Sequence, residues 1–249
     1  MTQSTPAAQL AALSWAELPE RPMVLIPLGS VEQHGPHLPL DTDSAIASAV
    51  AQGTATRLRR RLPHADVLVA PPIVYAASGE HQSFPGTMSI GTESLRSVLV
   101  ELVRSVALWS GRIVFVNAHG GNHGCLSGAV RQLIEEEDRD VAWVPCEPEN
   151  GDAHAGHTET SLMLHLAPER VDMARAKEGN TAPIRALLPS IVAGGIAAVS
   201  PSGVLGDPTT ATASEGARLL AALVADVAAR IEHPRRDAGG RLLRAEAGA

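Results

Sequence analysis

The fold is indicated most clearly by residues 111–137, GRIVFVNAHGGNHGCLSGAVRQLIEEE, which predict a strand, a glycine-rich turn and a helix in succession. The apolar run IVFV lies within a predicted strand at 112–117 and is typical of a strand buried on both faces. The turn that follows carries His119 and Asn122, and its glycines allow close backbone approach. The stretch therefore predicts one βα unit, its helix starting at about residue 122, with polar side chains at the turn.

The same order of strand, polar loop and helix occurs three more times along the chain. The earliest unit has a buried strand at 23–28, a polar loop at 29–40, and a helix from Asp41 whose acidic start and basic end suit the helix dipole. The remaining predicted elements are strands at 66–70 and 140–144, helices at 92–109 and 159–166, and a last helix through 219–231 introduced by the capping residues Thr212 and Glu215.

Repeated units of this kind predict an α/β fold, a three-layer sandwich in which a mostly parallel sheet is flanked by helices. The polar loops would then meet at the carboxyl edge of the sheet. We expect a single domain over 1–249, with a core at about 22–232 and mobile N-terminal and C-terminal tails. Residues 177–208 show no clean periodicity and are predicted to be irregular, with at most a short strand.

Composition excludes several classes of protein. A hydrophobic fraction of 45% over 249 residues argues against a disordered chain, and a net charge of −7 without a basic run argues against nucleic-acid binding. The lack of a long apolar stretch or a signal peptide predicts a cytoplasmic protein without membrane association. Two cysteines provide no disulfide framework. Neither G-x-S-x-G nor G-x-G-x-x-G is present, which disfavours a serine hydrolase and a dinucleotide-binding fold.

The histidines carry most of the functional information, because several of the 10 lie in loops that follow predicted strands. Glu32 and His34 are two residues apart, so they point the same way in an extended segment, and Asp43 approaches from the start of the next helix. This set can bind a metal ion. Alternatively, the loop residues are exposed and the aspartate only caps the helix.

Two further loops supply the other candidate ligands, although each has a simpler interpretation as a capped glycine-rich turn or a solvated face. The candidate side chains are Glu32, His34, Asp43, His119, His154, His157 and Glu159. Mixed carboxylate and imidazole ligands suit Zn, Fe(II) or Mn(II). A pair of such ions shares a bridging carboxylate, for which Asp43 is well placed, and activates water for attack on an amide carbonyl. Hydrolysis is thus the expected chemistry.

Three segments, PLGSVEQHGPHLPLDTD, VNAHGGNHG and HAGHTETSLML, resemble the creatininase (creatinine amidohydrolase) family in order and spacing. The resemblance spans about residues 22–232. Within the family the chain is most similar to the members that serve mycofactocin biosynthesis, on the segments 78–93, 151–161 and 203–216. Family membership implies a creatininase-like fold and a dinuclear metal amidohydrolase.

The resemblance also assigns roles to residues. It implies two divalent metal ions per subunit, Fe(II) or Zn with Mn as an alternative, and ligation by Glu32, His34, Asp43 and His119 with Asp43 bridging. Creatinine-hydrolysing members carry a glutamate ligand where this chain has Gly121. Glu159 is therefore expected to supply that carboxylate as a ligand and catalytic residue, and creatinine is not the expected substrate. His154 matches the catalytic histidine, which shuttles a proton to the leaving nitrogen.

The implied reaction is removal of a C-terminal Val-Tyr dipeptide from a ribosomally made, radical-modified precursor peptide. Tyr75, His81, Phe84 and His157 are expected near that substrate, with ordinary packing as the alternative for Tyr75 and Phe84. The resemblance further implies a homo-oligomer. Two other hypotheses remain open: an amidohydrolase of the same fold that acts on a cyclic amide or formamide, and a binding protein whose metal ions only hold the loops.

Overall fold

A computed structural model describes residues 8–149 and 151–245 of the chain. Its strands form one sheet in the order β1-β3-β2-β4-β5, and every neighbouring pair is parallel. The strands are β1 (Ala8–Gln9), β2 (Met23–Leu28), β3 (Val67–Val69), β4 (Arg112–Asn117) and β5 (Val141–Pro145). The strands expected from the sequence are thus confirmed, and β1 is an additional short one at the sheet edge.

Six α-helices occur in the part of the chain that the structure describes. They are α1 (Thr42–Arg61), α2 (Thr92–Val106), α3 (His123–Glu137), α4 (His157–Leu166), α5 (Ile184–Gly194) and α6 (Ala213–Glu232). The expected helices are confirmed, except that α2 ends at Val106 instead of residue 109 and α4 begins two residues early. Among the described residues, no helix has the length and apolarity needed for a membrane span.

The sheet is covered on both faces because successive residues of a strand point in opposite directions. In β2, Leu25 packs into the apolar layer formed with α1, α4 and α6. Its neighbours Val24 and Ile26 pack into the opposite layer, which α2 and α3 complete. In β4, Val114 and Phe115 divide in the same way. This arrangement confirms the predicted three-layer α/β sandwich and explains why the central strands are continuously apolar.

The strand order positions the polar loops. From β2 the chain crosses through α1 to β3 on one side of the sheet, and through α2 it returns to β4 on the other side. The direction of winding therefore reverses between the adjacent strands β2 and β4. In open parallel sheets, a crevice forms at the carboxyl ends of the strands on either side of such a reversal. The loops after β2 and β4 begin there, at Gly29 and Ala118.

The prediction that residues 177–208 are irregular was wrong for Ile184–Gly194, which forms α5. This helix contains Pro189 in its interior and carries the exposed apolar residues Leu188 and Val192. A proline inside the segment indicates a break in a helix, so sequence reasoning did not assign a helix there. The short strand that was allowed for corresponds to an antiparallel bridge between Leu205 and His154.

The C-terminal tail was expected to be mobile, but its described part packs against the sheet. Leu242 is 1% exposed, and its backbone amide donates to the carbonyl of Trp143 in β5 at 2.8 Å. Arg236 pairs with Asp140 at 2.5 Å. Residues 233–245 thus make a leucine contact and an arginine contact that no periodic pattern in the sequence indicates, and mobility of the tails stays a prediction. Residues 1–7 and 246–249 lie outside the described residues.

The packing of this tail predicts a contribution to stability. Leu242→Ala should lower the free energy of unfolding by about 2–5 kcal/mol, as is typical for a fully buried leucine. Leu108→Ala is the matched control, because Leu108 is 82% exposed and its loss should change stability by less than about 0.5 kcal/mol. Urea denaturation measures both. Equal midpoints for the two variants would show that the tail does not pack as described.

Candidate metal centre

Seven ionisable side chains converge at the carboxyl edge of the sheet, at the reversal between β2 and β4. They are Glu32, His34, Asp43, His81, His119, His154 and Glu159. All except Glu159 are buried, and the Glu159 side chain is 18% exposed. Buried charged groups are retained only when they are paired or bind a metal. The charges of this cluster must therefore be compensated within the cluster or by bound metal ions.

His34 and His119 share one arrangement. In each ring, one nitrogen donates to a backbone carbonyl: Nδ1 of His34 to Glu32 O at 3.1 Å, and Nε2 of His119 to Ala77 O at 3.0 Å. The other nitrogen faces a carboxylate oxygen, 3.0 Å from Asp43 Oδ1 for His34 and 3.2 Å from Glu32 Oε1 for His119. Metal-binding histidines are oriented by this kind of outer hydrogen bond.

Asp43 lies between the two histidines. Its Oδ1 is 3.0 Å from His34 Nε2, and its Oδ2 is 3.3 Å from His119 Nδ1. The first turn of α1 supplies the residue, and the Ser30 hydroxyl donates to Oδ2 at 2.7 Å. One carboxylate thus presents an oxygen to each side of the cluster, which is the geometry of a bridging ligand.

Glu32 shows most directly that a cation fits here. Both of its carboxylate oxygens are buried, and within the described residues neither has a hydrogen-bond partner. Burial opposes the charged form of Glu32, but the neighbouring His119 and His81 outweigh it and lower the pKa of Glu32 to about 2, so the carboxylate is charged. A buried charge of this kind needs a cation or N–H groups beside it. Three groups of three residues bring their ligand atoms within 4.8 Å of one another: Glu32, Asp43 and His119; His34, His154 and Glu159; and Glu32, His81 and His154. Their mixed oxygen and nitrogen donors fit Zn, Fe(II) or Mn(II).

The histidines of the cluster divide into two electrostatic classes. Burial opposes the charged form of His34, but Asp43, Glu159 and Glu32 outweigh it and raise the pKa of His34 to about 10. The carboxylates Glu32 and Asp43 likewise raise the pKa of His119 well above its ordinary value against the effect of burial. Without metal, each of these two rings therefore holds a proton where a metal ion would bind.

His81 and His154 belong to the second class. Burial lowers the pKa of His81 to about 4, and burial together with the nearby His34 lowers the pKa of His154 well below its ordinary value. Both rings are therefore neutral near pH 7. The His154 ring lies between His34 and His81, with ring centroids 4.3 and 4.5 Å away.

The loop before α4 places His154 and Glu159. Leu205 exchanges two backbone hydrogen bonds with His154, at 2.8 and 3.2 Å. The next residue, Ala155, has a left-handed backbone with φ of 52° and donates its amide to Glu159 Oε2 at 2.6 Å. Strained non-glycine backbone of this kind is concentrated at functional sites. Glu159 Oε2 lies 3.8 Å from His34 Nε2, and burial raises the pKa of Glu159 to about 7.

Gly121 is explained by Glu80, a residue that the sequence reasoning missed. A Cβ atom at Gly121 would lie 2.4 Å from Glu80 Oε1 and 2.4 Å from His119 Nε2. Glu80 itself lies 3.5 Å from His119 Nε2. The space beside His119 is thus filled by a carboxylate from another loop, and a larger side chain at residue 121 does not fit. In the sequence, Glu80 directly precedes the candidate residue His81, and this position could have indicated that Glu80 lies near the site.

The residues predicted near a substrate are found in different places. His81 joins the cluster, 3.2 Å from Glu32 Oε1. Phe84 packs against a small apolar cluster that includes Ile191, and Tyr75 is 47% exposed. His157 Nδ1 contacts the Thr210 hydroxyl at 3.1 Å, apart from the seven converging side chains. Substrate contact by these four residues stays a prediction.

The fold and the donor set define an α/β protein with a candidate metal centre at the reversal of its parallel sheet. Comparison with known proteins then assigns the family: the creatininase sequence model, described as creatinine amidohydrolase, matches residues 11–231. The chain is 58% identical to the mycofactocin precursor peptide peptidase of Mycobacterium ulcerans, over 90% of each chain. It is 56% identical to the protein of the same name from Mycobacterium tuberculosis, again over 90% of each chain. The chain belongs to the creatininase family, and it is an amidohydrolase.

Solved structures agree on the fold. A putative creatinine amidohydrolase from Bacteroides fragilis superposes with a TM-score of 0.77 at 24% identity, covering 92% of this chain and 96% of its own. A manganese form of creatininase gives 0.74 at 24% identity, with 92% and 100% covered. A zinc form of a creatininase variant gives 0.76 at 24% identity, with 93% and 100% covered. The metals named for these two structures are those of the relatives.

The geometry predicts which carboxylates hold metal. Loss of a residue that only orients a metal ligand lowers metal affinity by up to about 100-fold. Loss of a ligand itself costs more, so Glu32→Gln and Asp43→Asn should each lower the affinity for Zn(II) by more than about 100-fold. Asp41→Asn is a matched control, since Asp41 lies two residues from Asp43 but pairs with Arg170 at the surface. Chelator competition measures the affinities. Unchanged affinity in the Glu32 and Asp43 variants would contradict the site.

The raised pKa values predict that metal binding releases protons. Below about pH 10, the metal-free protein keeps His34 protonated, and a metal ion binds only the deprotonated ring. Zn(II) affinity should therefore rise with pH, by up to about tenfold per unit for each displaced proton. Calorimetry at pH 7 in buffers of different ionisation enthalpy counts these protons. Binding without proton release would show that the metal ion does not displace the proton of His34.

Proposed function

We propose that this protein is a peptidase that removes a C-terminal Val-Tyr dipeptide from the radical-modified mycofactocin precursor peptide. The proposal is carried by 58% identity over 90% of the chain to a relative named for that activity, together with a buried donor set that fits metal ions. Gly121, whose Cβ position is blocked by Glu80 and His119, separates the chain from the creatinine-hydrolysing pattern.

We assign two divalent ions to the centre, Fe(II) or Zn, with Mn as an alternative. Glu32, Asp43 and His119 would hold one ion, and His34, Glu159 and the bridging Asp43 would hold the other. When bound, such ions polarise an amide carbonyl and lower the pKa of water toward neutrality.

His154 is the residue that moves the proton. Its ring is neutral near pH 7, and its Nδ1 faces the cluster, 3.8 Å from Glu32 Oε1. A neutral ring can take a proton from water at the centre and deliver it to the leaving nitrogen. Without metal, burial raises the pKa of Glu159 to about 7, and a bound metal ion would keep this carboxylate deprotonated. The partial exposure of Glu159 opens this side of the cluster to a substrate.

The substrate segment is expected along the loop that contains Tyr75, His81 and Phe84. Tyr75 has the exposure needed to contact a peptide. Cytoplasmic location, homo-oligomeric assembly and a single domain over the whole chain are further predictions from the sequence.

Mass spectrometry of the modified precursor peptide tests the proposal. The purified protein is treated with chelator, reloaded with Fe(II), Zn(II) or Mn(II), and incubated with the peptide. We expect metal-dependent loss of the C-terminal dipeptide. An intact peptide in all metal-loaded samples would reject this substrate, and cleavage of a cyclic amide or formamide would instead support the alternative amidohydrolase.

The role of His154 predicts a separation of binding from turnover. His154→Ala should lower kcat by about 100- to 10,000-fold, the range for a general acid or base, while its Zn(II) content stays near that of the wild type. His165→Ala is the matched control, since His165 lies on the exposed face of α4. Metal analysis and peptide kinetics are measured on the same samples. If His154→Ala loses its metal, the residue is a ligand and not a proton shuttle.

A further inference from the structure

Gln33 connects the two neutral histidines of the centre, and the roles assigned above do not use it. The residue is 5% exposed and lies between Glu32 and His34 in the chain. Its side-chain Nε2 lies 2.9 Å from His81 Nδ1 and 3.2 Å from the Gly203 carbonyl, and its Oε1 lies 2.9 Å from the Gly35 amide. Its own backbone carbonyl lies 2.8 Å from His154 Nε2.

These contacts fix which end of the amide is which. The backbone amide of Gly35 can only donate, so the atom beside it must be the oxygen. The Gly203 carbonyl can only accept, so the atom beside it must be the NH₂ group. Exchanging the two ends would place donor against donor and acceptor against acceptor. The orientation of the Gln33 amide is therefore determined by two independent backbone groups.

The orientation of the amide determines the tautomer of His81. Because the Gln33 NH₂ group donates to Nδ1, that nitrogen is unprotonated in the neutral ring, and the proton is on Nε2. His81 Nε2 lies 3.2 Å from Glu32 Oε1. The N–H bond therefore faces a buried carboxylate, which attracts it, and the ring is not presented to a metal ion through that nitrogen.

The backbone carbonyl of Gln33 determines the tautomer of His154. A carbonyl can only accept, so His154 carries its proton on Nε2 and its Nδ1 is the basic nitrogen. This nitrogen is the one that faces Glu32 and the centre. The 3.1 Å contact between His154 Nε2 and Gln33 Nε2 then joins two donors, so the two hydrogens of the amide serve His81 and Gly203.

We propose that Gln33 is a positioning residue that holds both His81 and His154 in the Nε2–H tautomer, leaving His154 Nδ1 as the proton acceptor of the site. This inference rests on the proposed function for its catalytic meaning, but the positions of the protons are independent of any substrate. Gln33 acts through the two rings and does not itself contact the reacting atoms.

Gly203 provides an independent way to disturb the same amide. Its φ is +80°, and a Cβ atom there would lie 1.9 Å from Gln33 Oε1. Gly91 has nearly the same φ, +78°, but no atom lies within 4 Å of its Cβ position. Gly203→Ala and Gly91→Ala therefore both place alanine at a positive φ, and only the first displaces the amide.

The first test is the ¹⁵N spectrum of the wild-type full chain loaded with Zn(II), labelled at histidine and measured by magic-angle spinning NMR. The signals are assigned from His81→Gln and His154→Gln samples. We expect both residues to carry their proton on Nε2. A proton on Nδ1 of either ring would overturn the proposal, whether or not the protein hydrolyses the precursor peptide.

The second test uses Gln33→Glu, which replaces the donor to His81 Nδ1 with an acceptor. The His81 Nδ1 resonance should shift from the range of an unprotonated nitrogen to that of a protonated one. Gly203→Ala should shift it in the same direction, while Gly91→Ala should leave it in place. Gln132→Glu, on the surface of α3 beside Arg96, controls for the added charge. If His81 keeps its wild-type resonance in Gln33→Glu and Gly203→Ala, Gln33 does not set the tautomer.

Discussion

The structure of the site depends on two buried carboxylates, Glu32 and Asp43, that face the buried rings of His34 and His119. In each histidine, one ring nitrogen donates to a backbone carbonyl and the other faces a carboxylate. The attraction between these groups is strong because they are buried, yet Glu32 still has both oxygens without a hydrogen-bond partner in the described structure. Such a set is stable only with protons or metal ions between its members.

The rigid, covered sheet supports this concentration of buried charge. β2 and β4 are covered by helices on both faces, so their loops start from rigid, continuously apolar strands. The chain reverses its winding between these two strands, and the reversal opens a crevice at their carboxyl ends. The first turn of α1 brings Asp43 back into the crevice. The Ser30 hydroxyl and the Gln33 amide donate to Asp43 and His81, and the Ala77 carbonyl accepts from His119, so these three side chains are held in fixed directions.

The centre is also divided in its electrostatics, and this division suits hydrolysis. His34 and His119 stand among carboxylates and favour a positive charge, so a bound metal ion would have to replace a proton on each of them. In the described part of the chain, His81 and His154 face fewer carboxylates than His34 and His119 do, and burial lowers their pKa values and keeps the rings neutral. A neutral imidazole has an unprotonated nitrogen, which can accept a proton from water and release it to a leaving group. In the proposed mechanism, adjacent rings of one cluster thus serve as metal ligands and as the proton carrier.

The sequence by itself determined the parallel α/β fold and most of the donor set. Apolar runs that end in polar loops are local signals, and Glu32, His34, Asp43 and His119 lie within a few residues of strand ends or a helix start. Only the tertiary structure decided that His81 belongs with them, that Glu80 fills the space beside Gly121, and that Gln33 joins two rings from distant loops. Those contacts join residues separated by about 40 to 120 positions, and no local pattern specifies them. They arise because the order of strands, which periodicity does not reveal, brings the loop ends together.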